Sequence, residues 1–344
     1  MMNISDPINL EKLERLPKSK DIHIWADYVE LLCMVSPDGM ISKSLVVDRI
    51  NERNDVGEES PDEDSETDEE YDFDSLEETR TMPSARDAKI EREVEDVFLH
   101  LDYRAGVFSE FYPFNFSSKG NTLIIRSDLD RPKRLYLFLL LAANLWCIKD
   151  KKTENIFADI FEIASLIALK SYLPIFAEVH VFGSNSYNVV SRYSGSLWKK
   201  IRKLAKDIFE VPTCSEEEFN KRNYGDGGLD LVGWVSIGDL TPGMSLVFGQ
   251  CACSEDRWTE KQHSSSRYAW SNKLRFTVPP TNMVFIPICF RDSLGNWHDR
   301  LKIMESIVID RVRLVHLLKR DYSSIHSDTF DLIDQALVQK MPTV

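Results

Sequence analysis

The chain has 344 residues, 43% hydrophobic and 10% aromatic, which suits two domains, or one large domain with additions, and a real core. Its formal net charge of −14 is local, because 13 acidic and no basic residues lie between Glu58 and Glu78. The remainder is nearly neutral, so composition neither supplies a strong basic footprint for nucleic acid nor argues against one.

The start, MMNISDPINLEKLERL, has no apolar core of a signal peptide. Residues 1–56 read as a small helical unit. Trp25, Tyr28, Val29, Leu31 and Leu32 recur at helical spacing, SPDGMISKS forms a turn, and Ser44 is placed as the N-cap of a second helix over Leu45–Arg53. Residues 57–85 are too charged and too poor in apolar side chains to offset the entropy of ordering, so they read as an acidic disordered linker. The sequence from 86 to 344 reads as one α/β domain. Helix is expected over Ala88–Tyr103, a short strand near Thr122–Ile125, and a buried helix over Leu135–Ile148. That last run, at 14 residues, is too short to span a bilayer. Lys149–Asn155 reads as a basic turn before a second apolar helix, Ile156–Leu173, ended by Pro174. AEVHVFG is a strand, and Leu197–Phe209 an amphipathic helix with Lys199, Lys200, Arg202, Lys203 and Lys206 on its wetter side. Leu229–Ile237 and Met244–Cys253 are apolar on both faces, as central strands are, and GDLTPG joins them as a hairpin turn. Asn282–Phe290 is a further strand, and Ser306–Leu318 begins β-like and turns helical. This order gives an α/β (α+β) fold with a mixed sheet flanked by helices.

Cys33, Cys147, Cys214, Cys251, Cys253 and Cys289 contain no C-x-x-C pair. Free thiols in apolar runs fit a reducing cytoplasm. Cys251 and Cys253 form a lone C-x-C without a second pair, so a cysteine zinc site is not expected.

The chemistry concentrates in GDGGLDLVGWVSIGDLTPGMSLVFGQCAC, residues 225–253. An antiparallel pair brings the start of its first strand beside the end of its second, so Asp230 and Gln250 are expected to meet. Asp226 stands four residues before Asp230 in a glycine-rich approach. Carboxylates with an amide oxygen form a hard, oxygen-rich set of the kind Mg²⁺ takes, with phosphate oxygens and waters completing its shell. Asp226 also has an ordinary role open to it as a turn cap, and Gln250 one as a bonded core amide. Asp230 heads an apolar run, where a carboxylate is costly unless paired or metal-bound.

An Asp, a hairpin and then Gln250 resemble the core of the PD-(D/E)xK, or restriction-endonuclease-like, nuclease superfamily. GDGGLDLVGW, FGQCAC and the later IDRVRL are similar to nuclease-like proteins of bacterial anti-phage defence loci, over roughly residues 90–320. The resemblance implies a restriction-endonuclease-like fold and a metal-dependent nuclease. Asp230 and Gln250 would be ligands of Mg²⁺ or Mn²⁺, with Asp226 or Glu162 (from the preceding helix) assisting. The family's lysine belongs two residues after Gln250, where this chain has Ala252. Lys261 is the candidate to restore the missing ammonium. Nucleic acid, DNA foremost, is the implied substrate, and a partner protein or homo-oligomer the implied control. The other readings are a degenerate adaptor in a defence complex and a cysteine peptidase using Cys251 with His180 as base. The basic cluster at 199–206 and the pair Arg311 and Arg313 are candidate phosphate contacts.

Overall fold

The computed structural model describes residues 8–55, 83–187, 191–219, 225–253, 257–325 and 327–341. The linker expected at 57–85 lies outside the described residues up to residue 82. Ten helices are described: α1 (Ile22–Val35), α2 (Lys43–Asp55), α3 (Pro83–Phe108), α4 (Arg131–Ala143), α5 (Lys151–Tyr172), α6 (Leu197–Asp207), α7 (Trp258–Ser264), α8 (Arg267–Trp270), α9 (Arg311–Leu318) and α10 (Asp328–Val338). The ten strands are β1 (Met40–Ser42), β2 (Phe114–Phe116), β3 (Thr122–Ile125), β4 (Glu178–Val181), β5 (Val211–Pro212), β6 (Leu231–Val235), β7 (Ser245–Cys251), β8 (Leu274–Arg275), β9 (Thr281–Phe285) and β10 (Ile307–Ile309).

The main sheet has five strands in the order β10-β9-β7-β6-β4. β4, β6 and β7 form an antiparallel meander, and β9 and β10 continue it in parallel. The mixed α/β character read from the sequence is therefore present. A parallel neighbour needs a crossover, and α7 and α8 lie within the one that joins β7 to β9. On one face α5 lays a stripe of Ile156, Phe157, Ile160, Phe161, Ala164, Ala168 and Leu169 into the largest hydrophobic cluster, which also holds Val179, Val181, Leu231 and Val247. On the opposite face, Leu197, Ile201 and Leu204 of α6 pack with Phe182, Val232, Phe248 and Trp270. Gly233 is what lets α5 close on the sheet, since a Cβ there would stand 2.9 Å from Leu173 Cδ1.

The N-terminal helices share the α5-side cluster with α3, α4, α9 and α10. At its centre lies a charged group with no solvent. Arg104 of α3 donates to Asp27 (2.6 Å) and Glu30 (2.8 Å) of α1 and to the His23 carbonyl (2.7 Å). Arg311 of α9 donates to both oxygens of Asp27 (3.0 and 2.8 Å) and, through Nε, to the Pro287 carbonyl (2.7 Å). Tyr112 and Tyr136 hydroxyls donate to Glu30, and the Asn144 amide donates to Asp27. Burial opposes ionisation of Asp27, yet Arg311 and Arg104 hold its carboxyl down at about 2. Arg311, a sequence candidate for phosphate contact, is thus fully buried and spent inside the protein. Arg313 donates to the Val308 carbonyl.

Several element bounds differ from expectation. Lys149–Asn155 is not a turn: Asp150 caps α5 by accepting from Thr153 N (2.8 Å), so the helix starts at Lys151. The N-cap role expected of Ser44 falls to Ser42, whose hydroxyl accepts from Leu45 N, because α2 already begins at Lys43. The 135–148 helix starts earlier, capped by Asp130, and breaks at Asn144 into a 3-10 turn, Leu145–Cys147. α3 runs well past both ends of the expected Ala88–Tyr103, as its exposed face is charged and its buried face narrow. The run 282–290 is strand only to Phe285, since Pro287 has no N–H to continue a ladder. The β6–β7 connection is a nine-residue loop, 236–244, rather than a tight turn. No helix among the described residues is long and apolar enough to cross a membrane.

Asp27→Ala leaves two buried guanidiniums without a shared carboxylate. A loss of about 3–5 kcal/mol in chemical denaturation is expected, with Asp27→Asn retaining part of it.

Candidate active site

The register places Leu231 opposite Gly249, which sets Asp230 and Gln250 directly across from one another. Asp230 continues the ladder just outside β6: its N–H donates to the Gly249 carbonyl (3.0 Å), and its carbonyl accepts from Phe182 N (2.7 Å). Its carboxylate Oδ2 accepts from Gln250 Nε2 (2.5 Å) and from the Cys251 backbone N–H (2.6 Å). Gln250 Oε1 is buried and has no hydrogen-bond partner among the described residues. The expected meeting of the two residues therefore occurs, with an acceptor oxygen left over.

Asp226 takes the ordinary role open to it. One oxygen, Oδ1, accepts from Gly228 N (2.8 Å) as an ordinary turn cap. Its charge still reaches Asp230, Glu162 and Lys200. The glycines around it have a steric cause. Gly228 has φ +80°, and a Cβ there would lie 2.8 Å from Ser264 Cβ and 3.0 Å from the Ser264 carbonyl. The bare backbone at this point lets the loop lie against the last turn of α7, the helix that carries Lys261.

Lys261 donates from Nζ to the Cys251 carbonyl (3.0 Å). The N–H of that same residue bonds Asp230, so one residue's backbone separates ammonium from carboxylate, and Lys261 acts electrostatically on Asp230. α7 is held rigidly. Trp258 packs edge-on against Phe290 at 4.9 Å. Gln262 Nε2 donates to the Lys302 carbonyl (2.8 Å), and its Oε1 accepts from Met304 N and Ser306 Oγ. Asn282 of β9 donates to the Gln262 carbonyl (2.6 Å). Ala252 itself is fully buried and its N–H is used by the Phe285 carbonyl.

Glu162 comes from the middle of α5, on the other side of the sheet end. Its Oε1 is buried without a partner among the described residues. Burial first, then the charge of Asp230, push its carboxyl up to about 9, against a hydrogen bond from Asn185. Burial likewise raises Asp230 to about 7, with Asp226 adding to the rise and the Cys251 N–H and Lys261 opposing it. The structure thus brings Glu162, Asp226, Asp230, Gln250 and Lys261 into one neighbourhood.

Lys200 was read as part of a wet basic face and is instead 1% exposed, donating to the Gly225 carbonyl (3.1 Å). The clue was available: Lys200 is three residues after Leu197 and four before Leu204, inside the apolar stripe of α6. Burial lowers its pKa, while Asp226 and Glu162 raise it. Lys199, Arg202, Lys203 and Lys206 remain on the exposed face.

The Cys251–His180 arrangement does not form. His180 packs against Trp234 (5.3 Å) and bonds Glu178 (2.9 Å) on the α6 side of the sheet. Cys251 packs into the α5-side cluster, with its thiol pushed well above its ordinary range by burial and the Asp230 charge.

The chain matches no family model, no curated protein and no solved structure. Two carboxyl and amide oxygens without a hydrogen-bond partner among the described residues, beside a buried carboxylate raised to about 7, would suit a hard divalent cation, which replaces protons where it binds. Asp230 and the Gln250 and Glu162 oxygens are the donors available for Mg²⁺ or Mn²⁺.

Two outcomes follow from the electrostatics. Protons compete with a cation at Asp230 below about pH 7, so Mn²⁺ affinity measured by titration is expected to rise several-fold per pH unit from 5.5 to 7, and Asp230→Asn is expected to abolish it. A flat profile contradicts the assignment. Glu162 is protonated in the fold up to about 9 but ionised above about 4.3 when unfolded. Its contribution to stability therefore falls as pH rises between those values. Glu162→Gln removes that slope and is expected to stabilise the metal-free protein at pH 8 by on the order of a few kcal/mol.

Proposed function

We propose that this protein is a divalent-metal-dependent nuclease that hydrolyses nucleic-acid phosphodiesters, DNA foremost, on a restriction-endonuclease-like core. The observation that carries the reading is the convergence of Asp230, Gln250, Glu162 and Lys261 at one end of the sheet. The supporting topology is a helix bearing Glu162, an antiparallel meander bearing Asp230 and Gln250, a helix bearing Lys261, then a parallel strand.

In this reading Asp230, Gln250 and Glu162 hold Mg²⁺ or Mn²⁺, which when bound activates a water and stabilises charge on the phosphate. Asp230 and Glu162 exchange their protons for that cation. Lys261 supplies the ammonium that Ala252 lacks, reaching the site from α7 to meet charge on the phosphate in flight. Lys200 balances the carboxylates from the α6 side. The exposed Lys199, Arg202, Lys203 and Lys206 offer backbone phosphates a salt-dependent contact. A nearly neutral body has weak intrinsic affinity for DNA. Targeting then comes from a partner or from self-assembly, and the resemblance to nuclease-like proteins of anti-phage defence loci makes the protein a cytoplasmic effector of such a system.

A second reading, a catalytically degenerate adaptor, is favoured by one observation: Lys261 Nζ is bonded to the Cys251 carbonyl. Cleavage of plasmid and single-stranded DNA with Mg²⁺ or Mn²⁺ separates the two. Activity is expected that Asp230→Asn eliminates and Lys261→Ala lowers by about 10²-fold. Unchanged cleavage in Lys261→Ala defeats the relocated lysine, and no cleavage by the parent with or without its partner favours the adaptor.

A further inference from the structure

A second polar cluster lies away from the sheet-end site, where the N-terminus of α1 meets the loop after β9. Asp21 is the N-cap of α1, yet its side chain makes no cap hydrogen bond. Its Oδ1 turns instead to His298 Nε2, 3.0 Å away and 277 residues distant in sequence. His23, two residues after Asp21, is 3% exposed, and its ring stands 4.6 Å from that of His298. One ligand atom from each of Asp21, His23 and His298 falls within 4.8 Å of the other two.

The buried side chains here are unsatisfied. His23 Nδ1 has no hydrogen-bond partner among the described residues. His100 of α3, fully buried and within electrostatic reach of both His23 and His298, has neither ring nitrogen bonded among them. A neutral imidazole buried with idle nitrogens is costly, and two occur in one neighbourhood.

The loop that presents His298 is pre-set. Asp292 Oδ1 accepts from Leu294 N and Asn296 N, and Arg291 and Trp297 form a β-bridge. The His298 N–H returns to the Phe290 carbonyl (3.3 Å). His23 is fixed from the other side, its carbonyl taken by Arg104 and its ring edge-on to Phe290 at 5.4 Å.

We propose that Asp21, His23 and His298 form a zinc site that ties the N-terminal helix to the loop following β9. Two imidazoles and a carboxylate are ligands for a borderline divalent ion rather than for Mg²⁺ or Ca²⁺. Tetrahedral Zn²⁺ bonds nitrogen at about 2.0–2.1 Å, which puts ligand atoms about 3.4 Å apart. The Asp21–His298 pair stands a little inside that spacing at 3.0 Å, and a His23 ligand atom lies within 4.8 Å of both. A water completes the shell. The ion acts as a cross-link closing a loop of more than two hundred residues, so its free energy of binding appears as folding stability.

The test uses the full chain carrying Asp230→Asn, which removes the other candidate metal site. After chelation and dialysis, Zn²⁺ alone is titrated while bound metal and thermal midpoint are read. One Zn²⁺ per chain is expected at micromolar or tighter affinity, with a midpoint rise of about 3 °C or more, and no such rise with Mg²⁺. His298→Ala and Asp21→Asn, added separately, are expected to weaken binding by at least about tenfold and to erase the rise. Asp21→Asn is isosteric and at the surface, so it carries the test if His298→Ala fails to fold. No zinc bound by the parent, or a rise that persists in either folded variant, overturns the site.

Discussion

Everything in this protein hangs on four buried charges. Asp27 and Glu30 on α1, Arg104 on α3 and Arg311 on α9 neutralise one another deep in the core, and Tyr112, Tyr136 and Asn144 add hydrogen bonds to the two carboxylates. Apolar packing alone is tolerant of small shifts. A bidentate guanidinium on a carboxylate is not, because misalignment strands a charge at low dielectric. Through Arg311 Nε and the Pro287 carbonyl the same network grips the chain just after β9. β9 lies beside β7, the strand that carries Gln250. The helical layer and the sheet end are therefore in one mechanical frame.

On that frame the sheet end gathers acidic side chains in a largely buried setting. Glu162, Asp226 and Asp230 lie within electrostatic reach of one another, and burial lifts Glu162 and Asp230 toward neutrality, with Lys261 and Lys200 acting on the group from nearby. The Lys261 ammonium donates to the Cys251 carbonyl and that of Lys200 to the Gly225 carbonyl, which holds each within electrostatic reach of the carboxylates.

Much of the sheet was readable from the sequence because central strands buried on both faces are apolar runs bounded by Gly, Pro and Asp. The Asp230–Gln250 pairing followed from antiparallel geometry alone. What stayed hidden was decided by distant contacts. Nothing local marks Arg311 as a core residue rather than a phosphate binder, since its partners are near residue 27. Lys200 was misassigned for the opposite reason: its helical position gave it away, and counting charges obscured the stripe. Lys261 could be proposed only through the resemblance, because its approach to Cys251 depends on a close contact between Gly228 and Ser264. Asp21, His23 and His298 form no motif at all, for their spacing in sequence exceeds any local pattern.

The charged core also dictates when the fold can form during synthesis. Arg311 emerges 284 residues after Asp27, a delay on the order of 15–60 s at ordinary elongation rates. Until then α1 holds carboxylates that only Arg104 can answer, so a chain stopped short of α9 keeps a charge it can neither bury nor balance. A chain that stops before α9 is thereby barred from completing the frame that holds the sheet end.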